Sequence, residues 1–279
     1  MLTDIPPDQY IKVGEINTRY WTLGNKGKTI LLFHGAGDSI EFWLYNINVL
    51  AQHYRVYAVD MVGSGRSDKP SASYSLTYLA EFIKDFMDTL SIERASLAGN
   101  SMGGGVAIQF ALMFPQQVDK LVLVGSFGLG REVRLALRLT ILPLVLRFLR
   151  PNRRKLMSML KVLFYNATLI PQEWIEIRYP IFSLPHRHKA ITKLARTNLN
   201  LLGVRRSVFS AIVNQLATIT TPALIIWGKQ DRILPVSHAY IAAEGLPNNR
   251  LHIFDSCGHY PQIEYPQEFN YIVLGFLAD

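Results

Sequence analysis

The sequence predicts an α/β protein: a mostly parallel sheet of about eight strands, flanked by helices and interrupted by one helical insertion. Three observations carry that expectation. Short, β-branched apolar runs alternate with helical patterns along most of the chain, and each run ends in a turn signal. The runs are continuously apolar, as in strands covered on both faces. The alternation lapses once, between residues 128 and 218, where the chain reads as helices punctuated by prolines and rich in arginine.

In chain order, Tyr10–Val13 and Thr18–Leu23 flank Gly14-Glu15-Ile16-Asn17 and read as an antiparallel hairpin on the sheet edge. Thr29–Phe33, Tyr54–Asp60, Ser96–Ala98, Lys120–Gly125, Ala223–Trp227 and Leu251–Phe254 read as further strands. Helices are expected at Ile40–Gln52, Leu76–Leu90, Met102–Phe114, Val236–Glu244 and Pro266–Leu277. The domain reading follows: a core of residues 1–127 and 219–279, with 128–218 inserted as a helical cap over the carboxyl edge of the sheet.

Composition narrows the class. With 279 residues, 49% hydrophobic and 18% charged, the chain has ample material for a core, and disorder is excluded. A single cysteine, Cys257, rules out an internal disulfide framework. Met1–Gln9 is polar and carries Pro6-Pro7, without the pattern of a secretion signal, so a cytoplasmic setting is expected. The most apolar stretch, Leu135–Leu149, is broken by Arg138, Pro143 and Arg147 and is too short to span a bilayer. Net charge is +8, yet Arg131–Arg206 holds 16 Lys/Arg against 3 Asp/Glu, so the basicity belongs to the insertion.

The chemistry is read from four places. Gly99-Asn100-Ser101-Met102-Gly103 is a G-x-S-x-G at a strand-to-helix junction. A serine on so tight a corner sits in strained backbone, and side chains two residues to either side would collide with it. The corner lifts the hydroxyl above the sheet edge and aims helix N–H groups at a developing oxyanion. A phosphate-binding βα turn is the plain alternative, but the glycine and lysine patterns of such loops are absent. Serine needs a base, and His259 lies between the last strand and the last helix. The other histidines read as packing or surface residues, His34 as a loop brace. The acid that orients the base is assigned to Asp231, with Asp255 and Glu264 as rivals. His34-Gly35-Ala36-Gly37, after the first long strand, supplies one oxyanion donor: the N–H of Ala36 would act with that of Met102. Gly35 leaves room for substrate there. No metal or organic cofactor is implied.

These stations, in the order Ser101, Asp231, His259, resemble the α/β-hydrolase fold family across essentially the whole chain. Asp60–Pro70 resembles the family's loop that shapes the pocket floor. Within the family, Gly99–Gly104, Gly125–Gly130 and Leu163–Ile170 resemble the meta-cleavage product hydrolases, which break a C–C bond in vinylogous 1,5-diketones. That resemblance implies a substrate contact for Asn100, a contact between Arg178 and the substrate's carboxylate end, and a place at the pocket for Tyr260. The chain departs from the pattern twice: Gly37-Asp38-Ser39 replaces Gly-Pro-Gly, and Tyr260 stands where tryptophan is common.

The expected function is a serine hydrolase of hydrophobic carbonyl substrates, esters or C–C bonds, working through an acyl-enzyme on a small molecule. Two alternatives stand beside it: a ligand receptor on a hydrolase scaffold, and a membrane-associated lipase. The basic insertion admits three uses: an anionic substrate, a membrane surface, or a solvated face. Nucleic acid is excluded for want of a binding module.

Overall fold

The computed structural model describes residues 5–142 and 152–279. The amino-terminal half runs β1 (Gln9–Val13), β2 (Ile16–Leu23), β3 (Thr29–Phe33), α1 (Ile47–Leu50), β4 (Arg55–Val59), α2 (Leu76–Thr89), β5 (Ala95–Asn100), α3 (Met102–Met113) and β6 (Val118–Val124). An intervening segment carries α4 (Leu135–Arg138), α5 (Arg153–Leu163), α6 (Gln172–Phe182), α7 (Arg187–Asn198), a ladder of β7 (Leu199–Asn200) with β8 (Gly203–Val204), and α8 (Arg206–Val213). The chain then returns through β9 (Ala223–Gly228), α9 (Ser237–Gly245), β10 (Asn249–Phe254), α10 (Pro261–Glu264) and α11 (Pro266–Ala278).

The eight-stranded sheet has the order β1-β2-β4-β3-β5-β6-β9-β10. Six strands from β4 to β10 are mutually parallel and β2 runs against them. This is the α/β architecture expected. The sequence order reverses at β3, which has β4 on one side and β5 on the other, and such a switch point opens a crevice at the strands' carboxyl ends. The loops bearing His34 and Ser101 leave from it. β3, β5 and β9 are almost wholly buried, the pattern of strands covered on both faces. Helix α2 begins where the Ser75 hydroxyl accepts the Tyr78 N–H at 3.1 Å.

Two local expectations need correction. The helix expected over Ile40–Gln52 is instead a short 3-10 turn at Ile40–Trp43 and a separate α1, because tertiary partners claim the groups between. The Asn46 amide donates to the Gln262 carbonyl and to Asn270 Oδ1, and Asp60 holds the Ile40 N–H. The insertion, expected to lack strands, contains the β7–β8 ladder, which is too short to give a sequence signal. Part of the apolar stretch Leu135–Leu149, from residue 143 on, lies outside the described residues.

Candidate active site

Ser101 sits between β5 and α3 with φ 55° and ψ −118°, a left-handed conformation rare for a residue with a side chain. Its neighbours show why the corner demands glycine. A Cβ on Gly99 would overlap the Gly103 carbonyl, and one on Gly103 would lie 2.5 Å from the Phe33 carbonyl oxygen. The strained serine is held by its own backbone: its N–H donates to Val124 O at 2.9 Å, and its carbonyl accepts from Phe127 N at 2.9 Å. A Cβ on Gly35 would stand 3.4 Å from Ser101 Cβ, so the loop after β3 lies directly against the serine. Neither the Ala36 nor the Met102 N–H has an acceptor among the described residues, leaving both available to a ligand.

His34 is completely buried and braces this loop. Its Nδ1 bonds Gly35 O at 2.8 Å and its Nε2 accepts the Met61 N–H at 3.1 Å, which assigns the proton to Nδ1.

His259 and Asp231, 28 residues apart, meet with Nδ1 and Oδ2 separated by 2.6 Å, and both side chains are buried. The other Asp231 oxygen accepts the N–H groups of Ile233 and Leu234 at 2.7 and 3.1 Å, which fixes the carboxylate's orientation. The rival acids stand elsewhere. Asp255 is exposed and pairs with Lys229, while Glu264 accepts the N–H groups of Gly258 and Tyr165 at 2.8 Å each. Burial raises the Glu264 carboxyl above its ordinary value. The same environment pushes the Cys257 thiol upward, which suits an inert packing residue.

The serine and the histidine share one structural tie: the Asn100 amide donates to His259 O at 3.1 Å and to Val124 O at 3.2 Å. Gly125 lies under both partners of the ion pair, its notional Cβ 3.3 Å from His259 Nδ1 and 3.5 Å from Asp231 Oδ2. The Ser101 hydroxyl makes no hydrogen bond to the His259 ring among the described residues.

Asn100, expected at the pocket wall, is fully buried and both its donors brace the backbone, while its Oδ1 faces Gly35 without a partner. Arg178, expected to reach a substrate carboxylate, is buried and paired with Asp38 instead. Its guanidinium also lies 4.7 Å over the Trp174 ring. Tyr260 stands in an aromatic box of Phe42, Phe164 and Trp174, its hydroxyl 3.5 Å from the other oxygen of Asp38. Burial raises the Tyr260 phenol, so it stays a neutral donor. Asp38 therefore gathers Arg178 and Tyr260 beside the loop after β3, a role that aspartate in place of proline signals only in retrospect. Arg187 adds a second cation, its Nε 3.1 Å from Gly37 O; burial and the neighbouring Arg178 lower its pKa to about 10.

The inserted segment also completes the histidine loop, which sequence reading missed. The His259 N–H donates to the carbonyl of Leu163, the last residue of α5, at 2.7 Å. Among the described residues, no three His, Cys, Asp or Glu side chains gather as a metal site.

A family model described as the alpha/beta hydrolase fold matches residues 28–266. The chain belongs to that family, and by family it is a hydrolase. It is 33% identical to a 2-hydroxy-6-oxononadienedioate/2-hydroxy-6-oxononatrienedioate hydrolase of Paraburkholderia phymatum, over 99% of this chain and 97% of the relative. Among solved structures it resembles a meta-cleavage product hydrolase from Pseudomonas fluorescens, with TM-score 0.83, 29% identity and 98% of each chain covered. It also resembles a putative lipase from Acinetobacter baumannii, with TM-score 0.84, 27% identity, and 98% of this chain and 91% of that one covered.

Proposed function

We propose that the protein is a serine hydrolase in which Ser101 is the nucleophile, His259 its base and Asp231 the group that orients the base. The observation that carries this is the 2.6 Å His259–Asp231 contact, tied by Asn100 to the strained corner that presents Ser101. The hydroxyl attacks a substrate carbonyl while its proton passes to His259 Nε2. The Ala36 and Met102 N–H groups hold the oxyanion, and removing one such donor typically costs about 2.7–4 kcal/mol. The tetrahedral adduct collapses, the leaving group takes the proton from the imidazolium, and water repeats the sequence on the acyl-enzyme.

The favoured reaction is C–C cleavage of a vinylogous 1,5-diketone, supported by the relatives' names and by their nearly full-length match. In that case the dienol ketonises before attack, and the expelled carbon takes the proton. Ester hydrolysis is the second reading, and Asp38 favours it. A carboxylate already paired with Arg178 leaves little attraction for an acid group on the substrate. The segment between β6 and β9 serves in both readings as the cap, since Leu163, Arg178 and Arg187 reach the catalytic loops.

A panel of p-nitrophenyl esters of increasing chain length, run beside a meta-cleavage dienoate, decides between the readings. Turnover lost in Ser101→Ala supports the hydrolase, and rapid dienoate cleavage selects C–C chemistry. Binding with no turnover beyond one equivalent would make the protein a receptor on a hydrolase scaffold.

A further inference from the structure

We infer that one face of the inserted segment is a docking surface for an anionic phospholipid bilayer. Leu135, Leu139 and Leu142 are 61%, 36% and 43% exposed, and Leu201 and Leu202 are 57% and 74% exposed. These are five of the twelve large hydrophobic side chains exposed among the described residues, which makes the region a concentration and not a scatter. They also adjoin one another. Arg138 donates from Nη1 to the Leu201 carbonyl at 3.5 Å, and Arg196 donates from Nε to the Ile141 carbonyl at 2.8 Å.

Leu201-Leu202 forms the two-residue tip between β7 and β8, where the register pairs Asn200 with Gly203. A hairpin tip ordinarily carries glycine, asparagine or aspartate, so two exposed leucines there answer no folding need. No helix among the described residues is long and apolar enough to cross a membrane, so the fit is to a surface.

The rim is cationic. Arg131, Arg134, Arg138, Arg196, Arg205 and Arg206 have no acid within ion-pair distance among the described residues. The nearby Glu132 is bonded to His238. Arg131, Arg138, Arg196 and Arg205 each donate from Nε to a backbone carbonyl, which orients the guanidinium and leaves donors for phosphate oxygens.

Helix α7 extends the charge. Lys189, Lys193 and Arg196 occupy one exposed face at helical spacing, and the first two line a hollow of about 450 Å³ with Lys69, Ser71 and His186. Burial draws the Lys69 ammonium below its ordinary value, with Asp60 and Asp68 opposing that shift and Arg187 adding to it. Leucines that enter the headgroup boundary, ringed by cations, are the combination that binds anionic lipid. Arg187 and Ile191 on the opposite face of α7 rest on Gly37, so this surface lies one helix from the oxyanion loop.

The test is sedimentation of the full chain with phosphatidylcholine vesicles and with vesicles also holding phosphatidylglycerol, across a salt series. The proposal expects binding that needs the anionic lipid and falls as salt rises. Leu201→Asn with Leu202→Asn should lower the partition coefficient at least about tenfold. Arg134→Gln with Lys189→Gln and Lys193→Gln should lower it about a hundredfold. Circular dichroism and thermal melting confirm that each variant is folded. Ser101→Ala should bind as the wild type does, so the result stands apart from the catalytic reading.

Equal binding to neutral vesicles, or none to either, overturns the proposal. Release by millimolar inorganic phosphate at fixed ionic strength would reassign the cations to a soluble anion. A dimer that the leucine substitutions convert to a monomer, without vesicle binding, would reassign the face to a second copy of this chain.

Discussion

Arginine is handled in opposite ways on the two sides of the inserted segment. Around the loops that carry His34 and Ser101, Arg19 and Arg178 are buried and matched with acids, while Arg187 is held by the Gly37 carbonyl. Arg19 meets Asp8, Glu41 and Asp60 at 2.5, 2.8 and 3.2 Å, and Arg178 meets Asp38. On the outer side of the inserted segment Arg131, Arg134, Arg138 and Arg196 stand without an acid among the described residues, beside exposed leucines. A desolvated charge is stable only when compensated, so the paired set locks loop geometry. Glu41, which burial would raise but Arg19 lowers below its ordinary value, and Asp60, raised by burial and by Glu41, show that network at work under the loop after β3. The unpaired set remains hydrated, contributes little to stability and is free to meet something outside.

Breaking the catalytic end at its centre gives the largest effect. Ser101→Ala or Asp231→Asn should lower kcat on the best substrate by about 10⁴-fold or more, measured under saturating conditions. Retention of a tenth of the wild-type rate in either would remove the proposed roles.

The next effect sharpens the contrast itself. Arg178→Met leaves Asp38 buried and unpaired and should destabilise the fold by about 3–5 kcal/mol in urea titration. Arg134→Gln, from the outer face, should stay within about 0.5 kcal/mol of the wild type. Equal costs would erase the distinction between the two regions.

Asp38→Asn tests what the pair does for selectivity. Freed from its internal counter-ion, Arg178 should improve kcat/KM for a carboxylate-bearing substrate over a neutral ester by at least about tenfold. An unchanged ratio would confine Asp38 to positioning the loop.

The smallest effect concerns pH. His238 is completely buried, and burial lowers its pKa although Glu132 pulls the other way. The folded state therefore holds the ring neutral where the unfolded chain, with pKa about 6.5, binds a proton. Stability should fall as pH drops below that value, and His238→Gln should flatten the slope of urea midpoints between about pH 7 and pH 5. An unaltered slope would show that other groups govern acid sensitivity.

Much of the fold was legible because its causes are local. Thr29–Phe33 and Ala223–Trp227 announce buried parallel strands by composition, and Gly99 is demanded by a collision with Gly103 four residues on, although Gly103 itself answers the remote Phe33 carbonyl. The Ile40–Gln52 helix was misread because Asp60 and Asn270, distant in sequence, hold Ile40 and Asn46 in other geometries. The order along the chain favours Asp231 over Asp255 and Glu264, but which carboxylate touches His259 depends on how the loops after β9 and β10 lie side by side.

By itself, then, the sequence determined the alternation of strands and helices, the strained serine corner, and the concentration of positive charge in the insertion. Each depends on sterics or composition within a few residues. Only the tertiary structure decided which carboxylate meets His259, that Asp38 takes Arg178 from 140 residues away, that Leu163 holds the histidine loop, and that the outer leucines adjoin unpaired arginines. Those are matters of distance between remote segments, set by how a twisted parallel sheet brings its carboxyl ends together, and no local pattern encodes them.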